Sequence, residues 1–318
     1  MPPTISVPPA VTNTTAFDRS LRNFARFAWA VVAFNVAVIT EGAFVRATGS
    51  GAGCGNHWPL CNGHIVFGSP STATLIEFAH RSMTGIDTIM ILGLVVWAFR
   101  LFPNGHAARF GVVLSTVFMV TEALIGAALV KFGLVVNDAS PARAVVLSLH
   151  LANTMTLLAC LTLTAWWARH PRVRPSRMEW SSLAAVVLLG ITGALAALAD
   201  TLYPVHSLAA GFAQDLDPGA SFILRLRALH PILAAAVGCW LIHFASTRTA
   251  SAGRPAKIVI ATVVVQFLAG IANLLLLTPI GMQLLHLVLA DLLWIALVAL
   301  CWSPADTSHR SGQRSSGA

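Results

Sequence analysis

The chain has 318 residues, of which 56% are hydrophobic and only 10% charged, and its mean hydropathy is +0.75. A soluble domain of that length carries about a quarter charged residues, so a water-soluble globular protein is excluded. The formal net charge of +8 would suit nucleic acid as a partner, but the positions of the cations along the chain exclude one.

Residues 1–23 are a polar, Pro-rich tail. The tail lacks the charged n-region of a signal peptide, so no cleavage is expected, and its Asn13-Thr14-Thr15 sequon carries no weight. Eight apolar blocks follow, roughly 24–46, 75–101, 109–130, 144–168, 180–200, 222–246, 257–277 and 280–302. Each has about the 20 residues that a helix needs to cross about 30 Å of hydrocarbon. The fold class is an all-α membrane protein with eight transmembrane helices. With the N-terminus in the cytoplasm, Arg46, Arg81, Lys131, Arg143, Arg225 and Arg227 fall outside, and the other fourteen of the 20 Lys and Arg fall inside. This bias places both termini in the cytoplasm of a multi-pass cell-membrane protein. The basic balance is topology in a lipid bilayer, with no nucleic acid partner.

The first outer loop, 47–74, holds GSGAGCGNHWPLCNG at 49–63. A zinc site wants four ligands, and six residues between Cys54 and Cys61 is wider than the usual ligand spacing. An oxidising compartment favours a disulfide, which is preferred to a metal site. Cys160, Cys239 and Cys301 fall within apolar blocks and read as inert core residues.

Repeats organise the spans. The odd-numbered ones share a weak pattern near their outer ends, seen at 39–49, 120–133, 190–201 and 265–279. The even-numbered ones each carry one histidine, His80, His150, His230 or His286, one or two turns inside the outer face. Two pseudo-symmetric four-helix bundles, 24–170 and 180–302, follow, joined by a linker at 171–179 and ending in a tail at 303–318. Any one imidazole reads equally well as a satisfied core residue. Four at one depth in repeated places argue for ligation, because an imidazole in a membrane is costly without a partner. Zinc would want two further ligands per bundle, whereas haem needs two axial nitrogens and an apolar slot. Bis-histidine haem on His230 and His286 is the best fit for the second bundle. For Arg225 and Arg227, pairing with haem propionates and a solvated outer rim are both open. His57, His64, His206, His106, His170, His309 and His243 lie outside the repeated set, and solvated positions are expected for the loop histidines His57 and His64.

The first bundle also carries Glu41, Glu77, Asp87 and Glu122. Glu77 precedes His80 by three residues and so shares its helix face. General acid–base work is favoured there over a simple salt bridge with Arg81. Glu41 and Glu122 read as matching groups that hydrogen-bond between helices, and Asp291 as structural.

Taken together, Gly49-Ser50-Gly51 leading to Cys54, the Trp58-Pro59-Leu60-Cys61-Asn62-Gly63 run, the Glu77-Phe78-Ala79-His80-Arg81 segment, and His150, His230 and His286 resemble the haem A synthase family over about residues 22–302. The resemblance implies an oxidoreductase that converts a methyl of haem O to a formyl, giving haem A for terminal oxidases. It implies haem b as cofactor on His230 and His286, the haem O substrate on His80 and His150, a catalytic role for Glu77, and a Cys54–Cys61 disulfide over the site. It also implies an electron acceptor of unassigned identity and makes hand-over from a haem O synthase an expectation. One departure is the loop at 201–220, which lacks the second cysteine pair of some bacterial members. A di-haem, bis-histidine cytochrome b acting as an electron carrier is the alternative reading.

Overall fold

The computed structural model describes residues 12–63 and 68–303, with side chains from residue 16 onward. The described chain is helical: α1 (Thr12–Ala47), α2 (Thr72–Leu101), α3 (Ala107–Lys131), α4 (Pro141–Trp167), α5 (Arg177–Leu202), α6 (Leu208–Leu216), α7 (Phe222–Leu275) and α8 (Ile280–Cys301). All but α6 are long and apolar enough to cross a membrane.

Helix starts follow local chemistry. Ser71, Ser140, Ser207 and Ser221 each accept a backbone N–H of the first turn, which satisfies a donor left free at a helix N-terminus. Ser176 and Glu179 form a capping box at the start of α5. Helix α7 runs to 54 residues, about 80 Å if straight and far more than a bilayer needs. It doubles back at Gly253 (φ 44°, ψ −107°), a conformation open to glycine and strained for other residues. Pro255 then opens the second arm. A methyl group on Gly238 would stand 3.7 Å from Val263, so the two arms lie side by side. The sixth and seventh expected spans are therefore two arms of one helix, which gives eight apolar segments among the described residues.

Helix α1 begins before the expected first span: residues 12–23 of the polar tail are already helical, and no proline follows Pro9 in that stretch to interrupt the turn. The loop at 201–220 contains α6, started by Ser207 between Pro204 and Pro218.

Helices α1 to α4 close a ring, α1 on α2, α2 on α3, α3 on α4 and α4 back on α1. The second bundle repeats this with α5, the two arms of α7, and α8. The bundles meet where α4 and α1 pack on α5 and α8. Their shared apolar core runs through Phe24–Val32, Ile91–Phe102, Leu157–Ala168, Leu241–Ala256 and Leu293–Trp302. All of these belong to the half of the molecule away from the Cys54–Cys61 loop. Trp294 Nε1 donates to the Met155 carbonyl at 2.8 Å and Trp166 Nε1 to the Trp302 carbonyl at 3.2 Å, which knits the seam in that half. At the disulfide end the seam is polar. Arg46 of α1 reaches the Ala197 carbonyl and Thr201 Oγ1, both at 2.6 Å, and Gln283 Oε1 at 3.1 Å.

Candidate functional site: four histidine seats under a disulfide loop

The four repeated histidines are half-buried and lie seven to ten residues into α2, α4, α7 and α8. At 1.5 Å per residue each ring is about 9–14 Å from its helix start, and all four starts lie at the disulfide end. His80 and His150 stand within electrostatic reach of one another, as do His230 and His286. The structure thus brings together, bundle by bundle, the residues that the repeat paired.

Each ring rests on a glycine of the preceding span. A methyl built on Gly42 would stand 2.9 Å from His80 Cε1; on Gly193, 3.0 Å from His230 Cε1; on Gly270, 3.1 Å from His286 Cε1. The fourth seat is looser, with 3.8 Å between such a methyl on Gly126 and His150 Cε1. These glycines are what the weak odd-span pattern encodes, and the sequence reading missed them. The signal was present in Gly42-Ala43, Gly126-Ala127 and Gly193-Ala194, with Gly270-Ile271 as the divergent copy.

One position recurs beside each seat, four residues before the glycine. Val38 and Leu189 present backbone carbonyls to the His80 and His230 rings, and Thr192 Oγ1 adds a 3.1 Å contact to His230 Nδ1. In the other two seats the same position carries a polar side chain. Glu122 Oε1 is 3.4 Å from His150 Nδ1, and Gln266 Nε2 is 3.2 Å from His286 Nε2.

The disulfide loop closes over the first bundle. Cys54 and Cys61 are bonded to each other and fully buried, which bears out the disulfide over a metal site. Glu77, 3% exposed, accepts the Cys54 backbone N–H at 2.8 Å on Oε2 and Arg81 Nη2 at 2.5 Å on Oε1. Arg81 Nη1 also donates to the carbonyls of His57 at 2.7 Å and Leu60 at 2.9 Å. Thr74 Oγ1 donates to the Gly53 carbonyl at 2.8 Å. The salt bridge weighed as an alternative for Glu77 is present, and it is part of a clamp between the loop and the first turns of α2. His57 is exposed; His64 lies outside the described residues.

Other expectations divide. Glu122 does join α3 to α4: its Oε2 accepts Asn153 Nδ2 at 2.6 Å, and its Oε1 accepts Thr154 Oγ1. Glu41 makes no hydrogen bond or ion pair among the described residues. Nor do the two acids match: Glu41 precedes its seat glycine by one residue, Glu122 by four. Arg227 is not a free rim charge. It donates to Asp215 Oδ1 from Nε at 2.8 Å and from Nη2 at 2.5 Å, to Gln214 Oε1 at 3.0 Å, and pairs with Asp200 at 3.4 Å. Its guanidinium is spent on pinning α6, while Arg225 is exposed and donates to the Pro218 carbonyl at 2.8 Å. Asp87 accepts Asn35 Nδ2 at 2.6 Å in the first bundle core. Asp291 is 8% exposed, and its Oδ2 has no hydrogen-bond partner among the described residues.

The seats suit a planar metalloporphyrin. Among the described residues nothing closes a hydrogen bond on Nε2 of His80, His150 or His230, and the Gln266 amide alone approaches His286 Nε2. His80, His150 and His286 keep a buried Nδ1 without a hydrogen bond among the described residues, so each ring holds a nitrogen that the protein itself does not use. Two neutral imidazoles from facing helices are a usual axial set for haem iron.

Residues 25–298 match the family described as cytochrome oxidase assembly protein, COX15-CtaA. A protein of Thermus thermophilus named protohaem IX farnesyltransferase is 44% identical over 296 residues, covering 89% of this chain and 48% of the relative. Haem A synthases of Bacillus licheniformis and Geobacillus kaustophilus are 36% identical over 126 residues and 42% identical over 116. Those two matches cover 40% and 36% of this chain, and 39% and 36% of the relatives. The chain thus spans about half the length, or less, of the curated relatives it matches.

Proposed function

The chain belongs to the family of cytochrome oxidase assembly proteins COX15-CtaA, and on that premise we propose that it is a haem A synthase, oxidising a methyl group of haem O to a formyl group. The observation that carries this reading is the doubled set of histidine seats, of which one set lies beneath the disulfide loop and the other does not. Haem O is the substrate, held in the first bundle by His80 and His150. Haem b, when bound between His230 and His286, supplies one-electron exchange at its iron.

The chain's own residues do the rest. Gly42, Gly193 and Gly270 let three imidazoles lie close against a neighbouring helix, which fixes their orientation before any ligand arrives. Glu77 and Arg81 hold the Cys54–Cys61 loop over the first pair and keep bulk water off that side of the site. Glu77 is the carboxylate beside the first pair, three residues before His80 on the same helix, and it is the residue through which the loop is tied to that helix. The loop faces the oxidising side of a cell membrane, with both termini in the cytoplasm.

Names of relatives support the reading. Two are haem A synthases. The Thermus protein is named for attaching a farnesyl group to protohaem IX, and only 48% of its length matches this chain. The remainder has room for the named transfer, which supports hand-over of a farnesylated haem from such an enzyme to this one.

The test is to produce the protein in membranes supplied with haem O, purify it, and identify the extracted haems by chromatography and mass. Haem A together with haem b is expected. Haem b alone, with haem O supply and an active electron source verified, would overturn the synthase in favour of a di-haem electron carrier.

A further inference from the structure

The two bundles differ at one matched position beside a histidine. Four residues before Gly126 stands Glu122, and four before Gly270 stands Gln266. We infer that Glu122 is a positioning residue that sets the ligand character of His150, and that a carboxylate here, where the second bundle has an amide, makes the two haem sites electronically unequal. The inference rests on the haem ligation proposed above.

The geometry supports it in three ways. Glu122 is itself oriented, accepting Asn153 Nδ2 on one oxygen and Thr154 Oγ1 on the other. Asn153 is held in turn by the Phe118 carbonyl at 2.9 Å and by Thr121 Oγ1 at 2.6 Å. Next, Glu122 Oε1 lies 3.4 Å from His150 Nδ1, which is buried and has no closer acceptor among the described residues. Finally, the seat beneath His150 is the loosest of the four, so packing holds this ring least and the carboxylate has most to do. Drawn in from this 3.4 Å approach to a hydrogen bond with Nδ1–H, the carboxylate would fix the tautomer, leave Nε2 for the metal and make the imidazole a stronger donor. A stronger donor favours the ferric state, so the first-bundle haem has the lower potential for this reason.

The test is a redox titration of the full-length protein with haem in both bundles, followed by absorption and electron paramagnetic resonance. His150→Ala and His286→Ala assign the two signals. If neither removes a haem, the ligation reading itself fails, and with it this inference. With the signals assigned, Glu122→Gln is expected to raise the first-bundle potential enough for a tenfold change in reduced fraction, about 59 mV for one electron. The second-bundle haem stays put, and Glu122→Asp recovers part of the shift. Thr154→Val, which keeps the carboxylate but removes one of its donors, is expected to move the potential far less. An unmoved potential in Glu122→Gln with haem bound overturns the inference, as does an equal shift in Thr154→Val. If Glu122→Gln does not accumulate, Glu122→Asp carries the test alone: it is expected to raise the first-bundle potential by less than the tenfold change, and no change overturns the idea.

Discussion

The two bundles are built on one plan but closed by different means. The first is capped by a covalent loop, Cys54–Cys61, tied to α2 through Glu77 and Arg81. The second is capped by a short helix, α6, held by Arg227 to Asp215 and Asp200. A cap built on ion pairs is reversible and salt-sensitive, whereas a disulfide persists in an oxidising space. The comparison teaches that the histidine seats belong to the shared scaffold, and that the caps over them are added separately in each half.

Removing one of the proposed haem ligands breaks the comparison outright. His230→Ala is expected to abolish haem in the second bundle while the first keeps its own, read as loss of one of two resolved haem signals. Loss of both would show that the bundles do not load separately. Next in size is the covalent cap. Cys61→Ser removes a cross-link closing a short loop, a loss of about 2–3 kcal/mol, seen as a lower unfolding temperature in detergent with α6 unaffected. Thiol alkylation without reductant should leave Cys54 and Cys61 unlabelled in the parent protein, and labelling of both would remove the covalent cap from the account.

The seats allow a finer comparison. Gly193→Ala forces a methyl to 3.0 Å from His230, and overpacking of about 1–3 kcal/mol outweighs the gain of about 1 kcal/mol in helix propensity. Gly126→Ala, with 3.8 Å of clearance, keeps that gain and is expected to be neutral or slightly stabilising. Equal effects in thermal unfolding would contradict the graded seats. The smallest effect belongs to the rim: Arg225→Ala, at an exposed guanidinium, should stay within about 0.5 kcal/mol.

Spans were readable because hydropathy in 20-residue blocks is forced by the bilayer, and even the doubled-back α7 was divided correctly by Arg248, Arg254, Pro255 and Lys257. The histidines were readable because polar groups are rare at that depth. Their seats were not, since one glycine in an apolar helix looks like any of the 23 in the chain until a ring is seen lying on it. Arg227 was unreadable for another reason. Its partner Asp215 lies 12 residues away on a helix that sequence left as loop, so its charge looked free. Glu41 and Glu122 look equivalent in so weak a repeat, but the glycine register separates them by three residues.

The common depth of the four seats bears on energetics of another kind. A charge crossing a membrane does work against the transmembrane voltage, about 2.3 kcal/mol per elementary charge for each 100 mV. His80 and His150 lie at the same level as His230 and His286, in bundles that stand side by side. On the proposed haem ligation, an electron passing from one pair to the other would travel in the plane of the bilayer and cross almost none of that voltage. Exchange between the two halves would then run at the same driving force in an energised membrane as in a collapsed one.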